Sequence, residues 1–236
     1  MLCVLGVVGC AKHDPILPGT RHDIFDSNEV KVLDQELPIL SENVKHMSGD
    51  GVCPYRQDAS NTIWKGDKKL FSGFSDGNAV KSEQSPICEG GFLYTGLSTG
   101  EVIKLNPTTK DVVWVADVFR SSNLTGGASV VDIVAHVGVD KNFVYAGGLG
   151  DAFCKLNKYT GDRSWCLNIS VPVDFIVVDD YAFVVGTDNY LYAVNIKTGK
   201  VYWKTEIEKQ VKPVYQKNII VVGKQSINYK NGSLIK

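Results

Sequence analysis

Three segments of equal length, each ending in tryptophan, align without gaps and restrict the possible folds more than any other feature of this sequence. Asparagine, threonine and tryptophan recur at fixed positions in all three, and glycine follows the threonine in two, Lys110 taking its place in the first. A period of this kind indicates a repeat architecture, in which each unit buries its apolar faces against its neighbours. The segments are residues 96–114 (GLSTGEVIKLNPTTKDVVW), 147–165 (GGLGDAFCKLNKYTGDRSW) and 185–203 (VGTDNYLYAVNIKTGKVYW).

Each repeat predicts one small antiparallel sheet. A short apolar run precedes each segment, and residues that favour turns separate it from two further strands. Glycine supplies the positive φ that tight hairpins need, and Thr or Asn side chains cap such turns. Because a sheet of this size cannot bury its faces alone, we expect the units to stack radially as blades of a β-propeller. The expected fold class is therefore all-β, with four-stranded blades.

Composition and charge agree with this expectation. Val, Ile, Tyr and Phe are frequent and 23 glycines are spread along the 236 residues, a mixture that favours many short strands. Lys and Arg number 25 and Asp and Glu number 26, so no broad basic field is available to hold a phosphate backbone. Nucleic acid is therefore not expected as a partner.

The repeats predict a partial propeller over residues 59–236, with about three full blades and partial ones at each end. Trp64 is interpreted as the outer strand of an earlier blade, because it precedes Trp114 by nearly the distance that separates Trp114 from Trp165. Residues 211–222 begin a further blade that is unfinished at Lys236. Since propellers usually close with about four to eight blades, the chain is a truncated product, associates with another segment, or forms an unusual four-bladed ring.

The first ten residues predict an export signal that ends at a lipidated cysteine. Residues 1–9 (MLCVLGVVG) are apolar or small, and the chain turns polar after Cys10. Residues 7–10 (VVGC) resemble the lipobox of bacterial lipoproteins, which implies an acylated Cys10 and, because Ala11 is not Asp, sorting to the outer membrane. No Lys or Arg precedes the apolar stretch, so a truncated secretory signal or a buried first strand is the alternative. Residues 11–58, rich in proline and without a sustained period, are expected to form an irregular tether leading into the propeller.

The repeat consensus, seen at residues 191–203 (LYAVNIKTGKVYW), resembles that of propellers of the pyrroloquinoline-quinone (PQQ) type. In those proteins the tryptophan of the outer strand docks on the neighbouring blade. Together with residues 17–21 (LPGTR) and 171–203, it makes the chain similar to the outer-membrane protein assembly factor BamB of alphaproteobacterial type, over about the first half of that family's ring. The tryptophans are accordingly interpreted as structural: Trp64, Trp114, Trp165 and Trp203.

The resemblance implies a non-enzymatic, lipid-anchored scaffold at the periplasmic face of the outer membrane. Such a scaffold would bind the periplasmic domains of the central subunit of the β-barrel assembly machinery and offer strand edges to unfolded barrel proteins. By analogy the contact is placed in the connection at residues 169–175, and an ordinary inner strand is the alternative. The candidate partner-binding residues are Val171, Pro172, Val173 and Asp174.

A quinoprotein dehydrogenase shares the repeat and is the rival class, with a truncated, non-functional remnant as a third possibility. Those enzymes hold the quinone in a central channel with calcium ligands and usually two adjacent cysteines. The six cysteines here include no adjacent pair, and half a propeller is expected to lack the channel. No catalytic residue, cofactor or metal site is therefore expected. The four histidines are scattered and are interpreted as solvated surface residues: His13, His22, His46 and His136.

One pair of cysteines is expected to be close in space. In the hairpin centred on Thr160, Cys154 and Cys166 face each other. An oxidising compartment would permit a disulfide there if the β-carbons approach to about 4 Å. Two free buried cysteines are the alternative.

Overall fold

The computed structural model describes residues 30–41, 44, 47, 52–75, 80, 85–119 and 130–235. Nineteen β-strands, and no helix, occur in this part of the chain. They form five antiparallel sheets, which are numbered here in chain order. No helix among the described residues could cross a membrane.

Within every sheet the strands lie side by side in chain order. Sheet 1 contains β1 (Tyr55–Gln57), β2 (Thr62–Lys65) and β3 (Lys68–Ser72). Sheet 2 contains β4 (Ile87–Glu89), β5 (Phe92–Gly96), β6 (Glu101–Leu105) and β7 (Val112–Asp117). Sheet 3 contains β8 (Gly138–Val139), β9 (Phe143–Gly148), β10 (Ala152–Asn157) and β11 (Arg163–Leu167). Sheet 4 contains β12 (Ile176–Val178), β13 (Tyr181–Val185), β14 (Tyr190–Asn195) and β15 (Val201–Glu206). Sheet 5 contains β16 (Val214–Gln216), β17 (Ile219–Val222), β18 (Gln225–Asn228) and β19 (Leu234–Ile235). This all-β architecture confirms the predicted fold class.

The core lies between successive sheets, because both faces of the middle strands are covered. Phe183 and Val184 are neighbours on β13 and point to opposite faces, yet both are fully buried. Phe183 packs in a cluster that sheet 4 shares with Ile220 of sheet 5, and Val184 in one that it shares with Phe153 of sheet 3. Burial on both sides explains why β13 is a continuous apolar run (YAFVV) and does not alternate with polar residues.

The recurring asparagine builds the turn between the last two strands of a sheet. In sheet 4 the side-chain oxygen of Asn195 accepts hydrogen bonds from the backbone N–H groups of Lys197 and Thr198, at 3.0 and 3.1 Å. Gly199 adopts a φ of 72° and its N–H donates to the Asn195 carbonyl at 2.8 Å. Asn157 forms the same turn in sheet 3. The side chain thus fixes the turn that the sequence predicts.

The three repeat tryptophans lie on the last strand of their sheets and pack on the turn of the next sheet. A β-carbon built on Gly161 would lie 2.9 Å from the Trp114 ring, and Gly199 and Gly232 approach the next two rings as closely. The Trp114 indole N–H donates to the Lys158 carbonyl at 3.1 Å, and that of Trp203 to the Tyr229 carbonyl at 3.0 Å. These rings therefore join each sheet to its successor; they are Trp114, Trp165 and Trp203.

Trp64 has a different position from the one that the sequence predicted. It lies on β2, the middle strand of sheet 1, paired with Arg56 on one side and Lys69 on the other. Its indole N–H donates to the Asp58 carboxylate within the same sheet, at 2.8 Å. The expectation of an outer strand was wrong. It rested on the spacing between Trp64 and Trp114, which matches the repeat, whereas the residues around Trp64 do not carry the Asn and Thr of the repeat turn.

Both ends of the predicted propeller differ from expectation. Strand β1 begins at Tyr55, inside the segment expected to be irregular, and pairs with β2. At the other end, sheet 5 was expected to be unfinished but contains a fourth strand, β19, which pairs with β18. The described residues thus form four four-stranded sheets and one three-stranded sheet.

The described residues of the tether at 30–41, 44 and 47 lie against sheet 4, then sheet 5, then sheet 4 again and finally sheet 3. Leu33 donates its N–H to the Val201 carbonyl at 2.9 Å, and Leu37 donates to the Lys230 carbonyl at 2.8 Å. Val44 forms an antiparallel bridge with Val178, and the Met47 carbonyl accepts the N–H of Val139 at 3.0 Å. The described tether residues therefore contact the outer strand β15 of sheet 4 first, and the inner strands β12 of sheet 4 and β8 of sheet 3 further along the chain.

Candidate binding site at the inner strands

Four residues occupy the same position in successive repeats, two residues before the first strand of a sheet. They precede β4, β8, β12 and β16, which are the inner strands of sheets 2 to 5. Because the sheets stack around an axis, equivalent positions on inner strands converge. The four residues are Ser85, His136, Asp174 and Lys212.

Asp174 joins three sheets through one carboxylate. Its Oδ1 accepts the backbone N–H of His136 at 2.7 Å and lies 2.7 Å from Nδ1 of the same histidine. Its Oδ2 accepts a hydrogen bond from Nζ of Lys212 at 2.8 Å. Since these residues lead into sheets 3, 4 and 5, the inner strands of those sheets are held together at one end.

The Asp174 carboxylate is the most buried group of this cluster, with 16% of its side chain exposed. Burial alone would raise its pKa, but the hydrogen bonds from His136 and Lys212 outweigh burial and hold the pKa well below its usual range. The side chains of His136 and Lys212 are more than half exposed. Both can therefore form further hydrogen bonds with a partner while Asp174 orients them.

A cleft of about 500 Å³ lies beside the cluster. Its walls come from the inner strands of sheets 2, 3 and 4 and from the tether, and they are mainly apolar; they include Val44, Met47, Ile87, Val137, Phe175 and Ile176. Residues of the tether complete a space that three inner strands begin. The cleft offers an apolar socket with charged groups at its rim, which is the usual make-up of a binding site.

Cys53, which forms a disulfide with Cys88, is part of this wall. It joins the residues just before sheet 1 to the inner strand β4. The sequence does not predict this pair, since the tether follows no repeat and no hairpin register relates the two cysteines. The other pair, Cys154 and Cys166, is directly opposed in the register of β10 and β11 and is also bonded.

The four residues predicted to contact a partner have different surroundings. Val171 is fully buried: its side chain packs on Gly147 and its N–H donates to the Gly148 carbonyl at 2.8 Å. It is therefore unavailable to a partner, which corrects the prediction for this residue. Pro172 and Val173 are partly exposed, and Asp174 lines the cleft.

His136 also differs from its predicted role, because it is paired with Asp174 and is not an isolated surface residue. Cys10 and the other three histidines, His13, His22 and His46, lie outside the described residues. In the part of the chain that the structure describes, no group of three or more His, Cys, Asp or Glu side chains could hold a metal ion.

The amino-acid sequence also matches a known protein family. The model of the family described as outer membrane protein assembly factor BamB matches residues 27–205, about three quarters of the chain. The chain belongs to this family. The match includes sheets 1 to 3 and almost all of sheet 4, and with them the tether from residue 27 onwards, His136 and Asp174.

Two curated BamB proteins illustrate the distance within the family. The BamB of Kangiella koreensis is 21% identical over 127 residues, which cover 54% of this chain and 33% of that protein. The BamB of Francisella tularensis is 25% identical over 146 residues, which cover 61% of this chain and 32% of that protein. The chain thus spans about a third of the length of these curated relatives.

Solved structures share the fold. The crystal structure of BamB from Moraxella catarrhalis has a TM-score of 0.59 and 18% identity, covering 75% of this chain and 55% of that one. A quinohemoprotein alcohol dehydrogenase from Pseudomonas putida has a TM-score of 0.50 and 17% identity, covering 65% and 33%. At these identities the likeness shows the propeller fold alone.

Two residues of the site in this BamB-family chain were missed by the sequence analysis, His136 and Lys212. A signal was present, because each is separated from Asp174 by 38 residues. The three aligned segments begin on the strand after the inner one and so exclude this position. Extended backwards, the repeat places the three residues in one column.

Proposed function

We propose that this chain is a non-enzymatic scaffold of the outer-membrane β-barrel assembly machinery. In this proposal it binds the periplasmic domains of the central barrel-inserting subunit, and unfolded barrel proteins are its clients. The observation that carries the proposal is the family match over residues 27–205, whose description names an outer membrane protein assembly factor. The cleft and its charged rim supply a surface for the contact.

The contact surface in this proposal is the rim formed by His136, Asp174 and Lys212 together with the partly exposed Pro172 and Val173. A partner would insert an apolar side chain into the cleft and pair a carboxylate or carbonyl group with the ammonium of Lys212. At protein interfaces, a few residues in a desolvated pocket usually contribute most of the binding free energy. Asp174 acts by holding the two basic side chains in place.

Recovery of the central subunit from native membranes tests the scaffold proposal. The tagged full chain is expected to recover that subunit, and Lys212→Glu is expected to reduce the yield because it reverses the charge at the rim. Lys200→Glu is the matched control, since Lys200 is an exposed lysine on a turn away from the cleft. If the unsubstituted chain recovers no central subunit, the proposal is wrong.

The proposed location is the periplasmic face of the outer membrane, with a lipid anchor on Cys10. The two disulfides support an oxidising compartment, because structural disulfides are rare in reducing ones. Acyl chains stabilise membrane attachment by about 0.8 kcal/mol per buried methylene, so a multiply acylated cysteine needs no spanning helix. Cys10→Ser is therefore expected to move the protein from the membrane fraction to the soluble fraction. An unchanged distribution would contradict the anchor.

The non-enzymatic part of the proposal has its own test. A titration of the full chain with PQQ in the presence of calcium, followed by quinone absorbance, is expected to show no saturable binding. Saturable binding would favour the dehydrogenase class.

A further inference from the structure

The charged groups at the rim of the cleft expose their basic side chains and bury their acid. Both oxygens of the Asp174 carboxylate are occupied, Oδ1 by the backbone N–H and the ring of His136 and Oδ2 by the Lys212 ammonium. The Asp174 side chain is 16% exposed, whereas those of His136 and Lys212 are 51% and 59% exposed. A group that enters the cleft therefore meets two basic side chains before it meets the carboxylate.

Lys212 keeps hydrogen-bonding capacity for a ligand. Its Nζ donates to Oδ2 of Asp174 at 2.8 Å, its one hydrogen bond to the residues that the structure describes. An ammonium group has three N–H donors, so two are available to a ligand. Asp174 is the only carboxylate among the described residues that line the cleft, and its oxygens are already in use. The rim therefore favours an anionic head group, which a charge-assisted hydrogen bond from Lys212 would hold.

The other walls of the cleft are mainly apolar and come from separate parts of the fold. Ile87, Val137 and Ile176 lie on or next to the inner strands of sheets 2, 3 and 4, and Val44 and Met47 come from the tether. The volume of about 500 Å³ falls in the range of pockets that enclose small molecules. Apolar walls with polar groups at one rim suit an amphiphile, whose chain leaves water while its head group stays at the rim.

Gly138 allows the tether to form one of these walls. The inner strands of sheets 2, 4 and 5 begin with isoleucine or valine, whereas β8 begins with Gly138. A β-carbon on Gly138 would lie 3.2 Å from Sδ of Met47 and 3.2 Å from Cζ of Phe175. A branched side chain at this position would displace both. Because glycine stands there, a flexible thioether and an aromatic ring line the cleft, and both adapt well to an apolar ligand.

We propose that the cleft binds an alkyl carboxylate, with its chain against Val44, Met47 and Phe175 and its carboxylate on Nζ of Lys212. A chain of about eight to twelve carbons is the size of ligand that such a cleft encloses. This binding rests on the geometry of the cleft and needs no second protein. A further consequence rests on the proposed function: since the same rim is the proposed contact surface, the ligand competes with the central subunit.

Isothermal titration calorimetry of the purified full chain with sodium dodecanoate tests the head group. One saturable site per chain is expected. Lys212→Met keeps the length of the side chain but removes the ammonium, and it is expected to weaken binding about tenfold or more because a hydrogen bond to a charged group is lost. Lys200→Met is the matched control, on an exposed turn away from the cleft, and is expected to leave the affinity unchanged.

Val44→Asp tests the apolar wall. Val44 is partly exposed and lines the cleft, so this substitution places a carboxylate beside the alkyl chain and is expected to weaken dodecanoate binding about tenfold or more. Val52→Asp is the matched control, because Val52 belongs to the same tether and is 99% exposed. An unchanged melting temperature shows that Val44→Asp folds. Equal affinity of these two variants would contradict the placement of the chain.

Ligands that differ in one property separate specific binding from general adhesion of amphiphiles. From octanoate to decanoate to dodecanoate, the affinity is expected to rise by up to about fourfold for each methylene, because each one leaves water. Dodecyltrimethylammonium has the same chain with a cationic head group and is expected to show no saturable binding. Equal binding of dodecanoate and dodecyltrimethylammonium, unchanged affinity in Lys212→Met, or no saturable binding of dodecanoate would overturn the inference.

The recovery of the central subunit from membranes separates this inference from the proposed function. Dodecanoate is expected to lower the recovery, and the same concentration of dodecyltrimethylammonium controls for effects on the membrane. A chain that recovers the subunit but does not bind dodecanoate would refute the inference and leave the proposed function standing. A chain that binds dodecanoate but recovers no subunit would refute the proposed function alone.

Discussion

Gly199 of sheet 4 packs on the indole ring of Trp165 of sheet 3. A β-carbon built on this glycine would lie 2.9 Å from Cδ2 and Cγ of the ring, closer than such atoms approach in real structures. The glycine also has a φ of 72°, which L-residues with side chains rarely adopt. One residue thus satisfies two requirements, a left-handed turn and a close contact between sheets, and Gly161 and Gly232 meet the same requirements beside Trp114 and Trp203.

Gly199→Ala is expected to lower the free energy of unfolding by about 2 to 4 kcal/mol, because the left-handed backbone and the ring contact both penalise a β-carbon. Gly91→Ala is the matched control: Gly91 has a φ of 78°, and nothing lies within 4 Å of its ideal β-carbon. That control is expected to cost about 1 to 2 kcal/mol, from the backbone alone. Urea unfolding of both variants measures the difference. Equal losses would show that the Trp165 contact contributes nothing.

Lys110 stands in the first repeat where the other two repeats have the turn glycine, and the structure explains why lysine is tolerated there. It adopts a φ of 67° in the turn before β7, so the backbone conformation of the repeat is kept without glycine. The preceding sheet carries no tryptophan on its last strand, β3 (KKLFS), and its tryptophan lies on the middle strand. A side chain is therefore tolerated where no indole ring occupies the space.

Lys110→Gly is accordingly expected to stabilise the protein, by up to about 1 kcal/mol, because it removes the cost of a left-handed lysine. The gain is limited by the larger entropy of glycine in the unfolded chain. The midpoint of urea unfolding should rise. A fall would mean that the Lys110 side chain makes a stabilising contact that outweighs the backbone cost.

Structural features that repeat along the chain could be predicted from the sequence, whereas features that occur only once could not. The Asn195 turn and the docking of Trp203 could be predicted, because the same local chemistry occurs in several copies. Trp64 was assigned to the wrong strand because only its spacing was used. The bond between Cys53 and Cys88 depends on the path of a tether that has no counterpart elsewhere in the chain, so no pattern in the sequence indicates it.

The candidate site was predictable only in part, for the same reason. Asp174 was found by analogy with a family. Its partners His136 and Lys212 are single polar residues in apolar surroundings, and only a common repeat position relates them. Val171 was wrongly predicted to contact a partner. It lies in the connection that leads into sheet 4 and packs on Gly147 of sheet 3, and the pattern of strands in the sequence does not show this contact.

The three docking tryptophans differ in their hydrogen bonds, which predicts different effects of substitution by phenylalanine. The Trp203 N–H donates to the Tyr229 carbonyl, whereas the Trp165 N–H has no partner in the part of the chain that the structure describes. Trp203 is also the more deeply buried ring, at 3% exposed, whereas Trp165 is partly buried. Trp203→Phe is therefore expected to cost at least about 1 kcal/mol more than Trp165→Phe, since one hydrogen bond usually contributes about that much. Equal losses in urea unfolding would contradict this.

Asp174 predicts a defined dependence of stability on pH. Its pKa in the folded protein is held below the unfolded value of about 3.9, despite burial, by His136 and Lys212. Such a group contributes stability that is fully present above the unfolded pKa and is lost as the pH falls towards the folded one. Asp174→Asn, which keeps the shape but not the charge, is expected to cost about 1 to 3 kcal/mol at pH 7. The difference from the unsubstituted protein should shrink below about pH 4.

Urea unfolding of the two proteins at pH 7, 5 and 3 measures this effect. Asp162→Asn is a suitable control, because Asp162 is an exposed aspartate that accepts one side-chain hydrogen bond, from Thr160. A gap between the unsubstituted protein and Asp174→Asn that stays constant from pH 7 to pH 3 would mean that the carboxylate charge does not stabilise the fold.

The two disulfides are expected to stabilise the protein unequally. They close loops of different length, with a sequence separation of 35 for Cys53 and Cys88 and of 12 for Cys154 and Cys166. If the bonds act by restricting the unfolded chain, the longer loop gives about 4 kcal/mol and the shorter about 3 kcal/mol. Cys53→Ser/Cys88→Ser should therefore lower the free energy of unfolding by about 1 kcal/mol more than Cys154→Ser/Cys166→Ser. Mass spectrometry after alkylation, with and without reductant, establishes both bonds beforehand; the order of the two losses then decides whether loop length or the local fit in the β10–β11 hairpin dominates.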